Sequence, residues 1–284
     1  MKFSMQAAEV FIPDSSAEES ALARTTHLGI VAHHDDLEIM AIEGILHGYE
    51  DADSWFTGVV VTDGGGSPRA GKFADHSDDA MKSVRAEEQK KAASMGRYGA
   101  QIMLGHPSAT VKDPAVTIIS EEFRAILEAT NPDIVYTHNP ADKHDTHIAV
   151  MLCVIEAIRT FPAEQRPEKV YGGEVWRDLD WMLDDDKVVI DCSAHETLQA
   201  DLLSAFESQI VGGKRYDLAA LGRRRAHATY HESHGVDVMT GVTFAMDLTP
   251  LIEIDTLDVT AYVRNYIDRL SDDVASRIGR FRQP

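Results

Sequence analysis

The sequence of 284 residues is poor in cysteine, in positive charge and in long apolar runs. Its two cysteines, Cys153 and Cys192, lie in apolar stretches without metal-ligand spacing. We expect them to be buried thiols in a reducing compartment, and a single disulfide between them stays open. No apolar run approaches the roughly 18 residues of a membrane-spanning helix, and no basic segment followed by an apolar one begins the chain. We therefore expect a cytoplasmic protein with no membrane partner.

Negative charge dominates the remaining composition. The chain has 27 lysine and arginine residues against 47 aspartate and glutamate residues, a formal net charge of −20. Because such a chain repels phosphate backbones, we expect no nucleic-acid partner. Hydrophobic residues make up 44% and charged residues 26%, which is typical of a globular protein with a substantial core.

Short apolar runs alternate with amphipathic segments along the first half of the chain. Buried strands are predicted at residues 27–32, 57–62, 101–104 and 133–137, and helices at residues 35–49, 78–95, 117–130 and 148–158. Strands at 168–171 and 187–190 and a helix at 196–206 are predicted further along. This alternation predicts an α/β fold, a Rossmann-like three-layer α/β/α arrangement with a mostly parallel central sheet.

We expect one domain over residues 1–284, because the sequence contains no repeat, linker or low-complexity block. Residues 1–26 are interpreted as an irregular N-terminal extension that packs on the body or on a neighbouring subunit, which would suit a homo-oligomer. The tail from Leu218 is expected to contain an Arg-rich turn at 223–225. It also contains His231 and His234, which we expect to shape the pocket without an assigned role.

Imidazoles and carboxylates cluster where two predicted strands end. His33 and Asp36 stand three residues apart just after the strand at 27–32, and His147 follows the strand at 133–137. Parallel strands end at one edge of the sheet, where open α/β folds bind ligands. Two imidazoles and one carboxylate meeting there would form an open metal site with room for water. The alternatives are acidic capping of a first helical turn and separately bonded loop histidines.

Two neighbours of these residues fit acid–base chemistry. If Asp36 binds a metal, Asp35 lies beside it and would accept the proton of an attacking water. His144, three residues before His147, could reach the far side of the site. An imidazolium at that position would stabilise a developing oxyanion or protonate a leaving amine. The alternative for His144 is a solvated loop histidine.

The loop at residues 63–68 and the helix at 78–95 add two further candidates. The Gly64–Gly66 triplet lacks the Gly-Lys-Ser/Thr of a phosphate-binding loop, so a loop that lets a substrate approach the backbone closely is favoured over a plain turn. Arg85, considered alone, would be an exposed helix arginine paired with a nearby glutamate.

Taken together, these motifs resemble the PIG-L/LmbE-like family of zinc-dependent N-acetylglucosamine deacetylases. The family signature Ala-His-Pro-Asp-Asp-x-Glu is matched by residues 32–38, and its His-Pro-Asp-His by residues 144–147. Thr62–Gly65 and Arg85–Glu88 match a Thr-x-Gly-Gly-like loop and an Arg-x-x-Glu helix start. The ordered set covers about half the chain, residues 27–160.

The resemblance implies a role for each of these residues. It implies that His33, Asp36 and His147 bind Zn²⁺, or another divalent metal, and that Asp35 is the general base. It implies that His144 is the oxyanion or leaving-group partner, and it places Arg85, Asp63 and Gly64 in the substrate pocket. The implied reaction is hydrolysis of an N-acetylated amino sugar or glycoconjugate, with release of acetate.

Three departures from the family pattern affect these expectations. His34 replaces a proline, which loosens the turn and adds an imidazole, and Met40 replaces a small residue below the loop. Asp145-Thr146 replaces Pro-Asp and removes a carboxylate that would orient His144. Thr146, Asp142 or Asp145 could take over that function.

Two other functions use the same ligands. A non-haem iron oxygenase also binds its metal through two histidines and one carboxylate, although usually on a β-rich scaffold. A metal- or sugar-binding protein without turnover would keep the ligands and lose the catalytic tuning. The acceptor attached to the amide is not predicted by the sequence.

Overall fold

The computed structural model describes residues 1–282, and within them the fold is built around one eight-stranded sheet in the order β1-β4-β3-β2-β5-β6-β8-β7. The strands are β1 (Glu9–Phe11), β2 (His27–Val31), β3 (Phe56–Thr62), β4 (Ala100–His106), β5 (Ile134–His138), β6 (Lys169–Gly173), β7 (Val188–Asp191) and β8 (Val242–Asp247). The five central strands run parallel, whereas β1 and β8 are antiparallel to their neighbours, as is β7 to β8.

Helices connect the strands and cover both faces of this sheet. They are α1 (Glu18–Ala23), α2 (Asp36–Met40), α3 (Ile42–Glu50), α4 (Asp78–Met95), α5 (Ser108–Val111), α6 (Ile118–Thr130), α7 (Asp145–Arg159), α8 (Glu196–Ser204), α9 (Glu207–Val211), α10 (Tyr216–Tyr230), α11 (Thr249–Glu253) and α12 (Val259–Phe281). Across residues 1–282, none of the helices combines the length and the apolar character needed to cross a membrane.

Alternating side chains of the central strands form two separate cores. Ile30 packs with Phe123 of α6 and with residues of α7 on one face, while the next residue, Val31, packs with Ile45 of α3 and with residues of α4 on the other. Successive strand residues point to opposite faces, so a strand between two helical layers must be apolar at every position. The expected three-layer α/β/α fold with a mostly parallel sheet is confirmed.

The order of the strands creates a crevice beside β2. The chain moves outward from β2 through β3 to β4, and then returns so that β5 pairs with the other side of β2. The register pairs His27 with Ile134 and Leu28 with Val135. The loops that follow β2 and β5 therefore leave the same edge of the sheet in opposite directions. Open α/β sheets bind their ligands in the crevice at this reversal of strand order.

A glycine in β2 lets the loop after that strand pack tightly against the sheet. A Cβ atom at Gly29 would stand 2.6 Å from Leu37 Cδ2, which is inside van der Waals contact. Leu37 is fully buried and lies between Asp36 and Glu38 in the sequence. Because Leu37 sits in the hollow that Gly29 leaves, the first turn of α2 is anchored over the carboxyl end of the sheet.

Several elements differ from the sequence-based expectations. The helix predicted at 35–49 is interrupted at Ala41, whose φ of −104° and ψ of 26° separate α2 from α3. The expectation that residues 1–26 are irregular is wrong in part, because β1 pairs with β4 and α1 follows it. The expectation of an Arg-rich turn at 223–225 is wrong as well, because these residues lie within α10. Edge pairing and long-range packing decide these elements, and neither leaves a local periodic signal.

Arg224 of α10 ties the C-terminal half of the chain to α2. It is 3% exposed, and its Nη2 donates to the carbonyl oxygens of Glu38 and Ile39 at 2.7 and 3.0 Å. Its Nη1 donates to Gln199 Oε1 at 2.7 Å. The last carbonyls of a helix have no partner within the helix, so this guanidinium satisfies two groups that would otherwise be buried unpaired.

We expect Arg224→Met to lower the free energy of unfolding by about 2–4 kcal/mol, because the carbonyl oxygens of α2 and the Gln199 amide lose their donors. Arg225→Met is the matched control, since Arg225 is an exposed neighbour that pairs with Glu196 at the surface. An exposed ion pair contributes less than about 1 kcal/mol. Urea denaturation of both variants checks this, and equal losses would contradict it.

Candidate metal centre and its pocket

Three potential ligand atoms meet at the crevice between β2 and β5. His33 Nδ1 lies 3.2 Å from Asp36 Oδ2 and 3.0 Å from His147 Nε2, and the last two atoms are 3.3 Å apart. His33 and Asp36 belong to the turn that leads from β2 into α2, and His147 lies in the first turn of α7. The structure therefore brings together the three residues that were predicted as ligands. Of these, His33 and His147 are 114 positions apart in the sequence.

These distances suit a shared divalent cation. Nitrogen and oxygen ligands stand about 2.0–2.2 Å from Zn²⁺, so ligand atoms around one ion are roughly 3.0–3.5 Å from one another. Two imidazoles and a carboxylate also form a donor set that such ions accept, with positions left open for water or substrate. The residues present fit a metal ion.

Charge at the cluster favours a cation at its centre. Burial alone would lower the pKa of His147, but the carboxylates of Asp36 and Asp142 raise it to about 9. Burial alone would raise the pKa of Asp36, but the charge and hydrogen bond of His147 hold it well below its usual value. A buried carboxylate facing two ring nitrogens is thus stabilised by positive charge between them.

Asp142 orients His147 from the side away from the cluster. Its Oδ2 lies 3.1 Å from His147 Nδ1 and also accepts from the backbone N–H of Trp176 at 3.2 Å. Its Oδ1 accepts from the backbone N–H of Lys143 and His144. A carboxylate that accepts Nδ1–H leaves the Nε2 lone pair free for a metal. From the sequence, Asp142 is expected only as a partner of the His144 ring, but His144 Nδ1 has no hydrogen-bond partner within residues 1–282.

His138, at the end of β5, lies close to the cluster but uses its free lone pair elsewhere. Its Nε2 accepts from the backbone N–H of Ala32 at 2.9 Å. Its ring stacks on that of His147 with centroids 3.8 Å apart, and burial keeps its pKa well below the usual value. His138 Nε2 also lies 3.6 Å from Asp36 Oδ2. Because its lone pair already accepts from the Ala32 N–H, His138 packs against His147 and does not serve as a ligand.

His144 stands across the cluster on the cavity side. Its ring centroid is 4.8 Å from that of His33 and 4.7 Å from that of His147. Burial lowers its pKa, and the nearby His147 and His33 lower it further. This direction favours the neutral form of His144, which can donate one hydrogen bond to a ligand in the main cavity. Trp176 stacks on its other side at 6.4 Å.

Asp35 is a buried carboxylate held by Arg85. Its backbone is left-handed, with φ of 88°, a conformation that aspartate tolerates better than most residues. Arg85 Nη2 lies 2.8 Å from Asp35 Oδ2, and Arg85 Nη1 donates to Glu88 Oε2 at 2.9 Å. Burial raises the pKa of Asp35 to about 6, although the Arg85 guanidinium acts in the opposite direction. Such a carboxylate is suited to accept a proton near neutral pH.

A cavity of about 340 Å³, here called the main cavity, opens over these residues. All the predicted site residues except His147 line this cavity, namely His33, Asp35, Asp36, Asp63, Gly64, Arg85 and His144. His147 is fully buried. The volume lies in the range of roughly 300–1,000 Å³ that is usual for small-molecule sites. Because the Arg85 guanidinium is bonded to Asp35 and Glu88, it positions the carboxylate, and its contact with substrate stays a prediction.

The loop after β3 forms one wall of the main cavity. Asp63 Oδ1 accepts from the backbone N–H of Gly65 at 3.1 Å, and Asp63 Oδ2 lies 3.2 Å from Lys82 Nζ. Gly64 has a φ of 72°, and a Cβ there would stand 3.0 Å from Arg85 Cβ and 3.2 Å from His34 Cε1. Only glycine fits this turn without displacing both neighbours, which brings bare backbone to the cavity.

His34, which replaces the family's proline, is a neutral part of the cavity wall. It is 2% exposed, and its carbonyl oxygen accepts from Arg85 Nη2 at 2.5 Å. Burial holds its pKa well below the usual value, with Arg85 and His33 acting in the same direction. Its Nδ1 has no hydrogen-bond partner among the described residues. The extra imidazole therefore adds no charge to the site.

The second half of the chain contributes residues that the sequence did not single out. Trp176, Gln209, Lys214 and Tyr216 line the main cavity, whereas His231 and His234 do not. His231 lies against Phe244, with ring centroids 5.7 Å apart, and His234 is exposed. The expectation that these two histidines shape the pocket is therefore wrong. No motif marks the four lining residues, because only the packing of α9, α10 and the segment after β6 brings them to the sheet edge.

We expect Asp142→Asn to weaken zinc binding by about 10- to 100-fold, because His147 loses the carboxylate that orients it. Asp145→Asn is the control, since Asp145 is exposed in the same segment and should leave the affinity within about twofold. A competition titration with a chromophoric chelator measures both variants. Equal affinities for the wild type and Asp142→Asn would contradict the orienting role.

Comparison with known proteins gives one family match. Residues 28–158 match the model of the PIG-L family, described as GlcNAc-PI de-N-acetylase. The sequence matches none of the curated proteins with which it was compared.

Several solved structures share the fold. A conserved protein from Thermus thermophilus is 15% identical, with a TM-score of 0.61 over 82% of this chain and 99% of that one. GalB, the 4-carboxy-2-hydroxymuconate hydratase from Pseudomonas putida, is 16% identical, with a TM-score of 0.56 over 79% and 96%. The N,N'-diacetylchitobiose deacetylase from Pyrococcus horikoshii is 16% identical, with a TM-score of 0.56 over 82% and 88%. At such identities the likeness establishes the fold alone, and residues 28–158 are the part of the chain that matches the PIG-L family model.

Proposed function

We propose that the protein is a metal-dependent hydrolase that removes the acetyl group from an N-acetylated amino sugar or glycoconjugate and releases acetate. One observation carries the proposal. Three ligand atoms, 3.0–3.3 Å from one another, lie beside a buried carboxylate whose pKa is about 6, at the floor of a polar cavity. Zn²⁺ is the proposed metal, and other divalent ions fit the same donor set.

The metal would be held by His33 Nδ1, Asp36 Oδ2 and His147 Nε2. Bound there, it would polarise the amide carbonyl and make water a stronger nucleophile at neutral pH. Asp35 accepts the proton of the attacking water, and Arg85 holds the carboxylate in place during the transfer. The same proton then passes from Asp35 to the amide nitrogen as the C–N bond breaks. One water is consumed, and the products are a free amine and acetate.

His144 is positioned to stabilise the charge that develops on the amide oxygen. It faces the cluster from the cavity, and its lowered pKa leaves it neutral, with one ring N–H to donate. A donor aimed at a developing oxyanion stabilises the transition state more than the ground state. His144 therefore assists the first step, while the proton for the leaving amine comes from Asp35.

The rival functions make different use of the same site. An oxygenase is disfavoured, because the observed scaffold is α/β and not β-rich. The fold alone does not select deacetylation, since one structural neighbour is a hydratase. The family match and the buried base beside the ligand cluster support amide hydrolysis. A metal-binding protein without turnover is separated from an enzyme by measuring acetate release.

We expect Asp35→Asn to lower kcat by about 10²- to 10⁴-fold while the protein retains its zinc, because the amide cannot accept the proton. Asparagine also tolerates the left-handed backbone at this position. Acetate release is measured from N-acetylglucosamine and N,N'-diacetylchitobiose, with metal content and thermal unfolding recorded in parallel.

His33→Ala serves as the contrasting variant, since it should lose zinc and activity together. Full turnover by zinc-loaded Asp35→Asn would contradict the proposed role of Asp35 as the general base. A folded, zinc-loaded wild type that releases no acetate from either substrate would favour the binding protein without turnover.

A further inference from the structure

A second cavity, here called the side chamber, shares part of its lining with the main cavity. It has a volume of about 220 Å³, and Asp35 and Asp36 line both spaces. Trp176 and Tyr216 also border both, and their rings meet edge-to-face with centroids 6.1 Å apart. The side chamber thus borders the same two aspartates and the same two aromatic rings as the main cavity, next to the proposed position of the reacting amide.

Hydrocarbon forms most of the wall of the side chamber. Ile39 of α2, Val175 after β6, and Ala219 and Ala220 of α10 supply it. Besides the two aspartates, the charged residue in the wall is Arg223, which already donates to the Val175 carbonyl oxygen at 2.8 Å. Apolar surface of this kind favours an apolar occupant, because its burial releases water from both partners.

The main cavity is the more polar of the two, although Pro68, Trp176 and Tyr216 also line it. Its wall carries Asp63, Ser67, Ser108 and Lys112 together with the backbone of Gly64 and Gly66. These groups can donate to and accept from the hydroxyls of a sugar, which would lose those hydrogen bonds in the side chamber. An amide held at the metal cluster has two substituents, the amine and the acyl chain. The polar amine side therefore belongs in the main cavity, and the acyl chain is left for the side chamber.

The side chamber is larger than the volume that the methyl of an acetyl group would fill. A water molecule occupies about 30 Å³ of liquid, so about 220 Å³ corresponds to roughly seven such volumes. An acetyl group would place a single methyl there and leave most of the apolar wall uncovered. A longer chain would cover it.

We propose, on the basis of the amide hydrolysis proposed above, that the side chamber binds the acyl chain and that the preferred substrates carry a straight acyl group of about three to six carbons. The reaction consumes one water, as in the amide hydrolysis proposed above. The amide C–N bond breaks, a C–O bond forms from water, and the products are the free amino sugar and the carboxylate of that chain. Acetyl is then the shortest member of the accepted series.

The first test compares two substrate series in the zinc-loaded protein. In N-acyl glucosamines from acetyl to hexanoyl, kcat/KM is expected to rise about fourfold for each added methylene until the side chamber is full. In alkyl glycosides of N-acetylglucosamine with the same range of chain lengths, kcat/KM is expected to stay flat. Length dependence in the glycoside series alone would overturn the proposal, because the side chamber would then serve the other end of the substrate.

A matched pair of variants locates the effect. Ala219→Leu adds bulk to the wall of the side chamber at an exposed position, and it should remove the gain per methylene. Gly222→Leu adds bulk on the same helix where a Cβ meets nothing within 4 Å, and it should keep the gain. If the two variants retain the same length dependence, the acyl chain does not lie in the side chamber and the proposal fails.

Binding of carboxylates separates this proposal from the proposed reaction. Acetate, butyrate and hexanoate are titrated calorimetrically into zinc-loaded wild type and Ala219→Leu. Affinity that rises with length in the wild type and stays flat in the variant supports the side chamber, even if no amide is hydrolysed and the reaction is wrong. Affinity that is independent of length in the wild type overturns the side chamber, even if acetate is released from acetylated substrates.

Discussion

The approach of His33 Nδ1, Asp36 Oδ2 and His147 Nε2 to within 3.0–3.3 Å depends on the parallel pairing of β2 with β5. A carboxylate and two ring nitrogens at these distances form a donor set that a cation between them would stabilise. The cluster must therefore be enforced by the packed sheet, because the side chains alone would not assemble it. Everything else at the site, from the buried base to the cavity walls, is arranged around this point.

Support for the cluster comes from residues that surround it. Asp142 holds the far nitrogen of His147, and Arg85 holds Asp35 while it is itself held by Glu88. Glu88 accepts in turn from the backbone and hydroxyl of Ser208, which lies in α9. Residues after position 158 thus stabilise a site whose proposed ligands all lie before it. The segment at residues 28–158 that matches the family model therefore depends on the rest of the chain for its pocket.

The sequence predicted the central strands and the residues of the cluster because both have local signals. Continuous apolar runs mark strands that are buried on both faces, and histidines and aspartates at the ends of two such strands mark a shared edge. Trp176, Tyr216 and Asp142 have no such signal. A tryptophan in a loop, or one aspartate among several, has the same composition whether it orients a ligand or faces solvent.

Residue types and spacing therefore determined the fold class and predicted which residues would gather at the sheet edge. Only the tertiary structure decided that burial lowers the pKa of His144 and His34, that Asp142 bonds to His147, that Arg85 is bonded to carboxylates, and that a second, apolar space opens beside Asp35. The physical reason is common to all of these. Protonation, hydrogen-bond partners and cavity shape depend on which groups burial brings together, and residues far apart in the chain supply those groups.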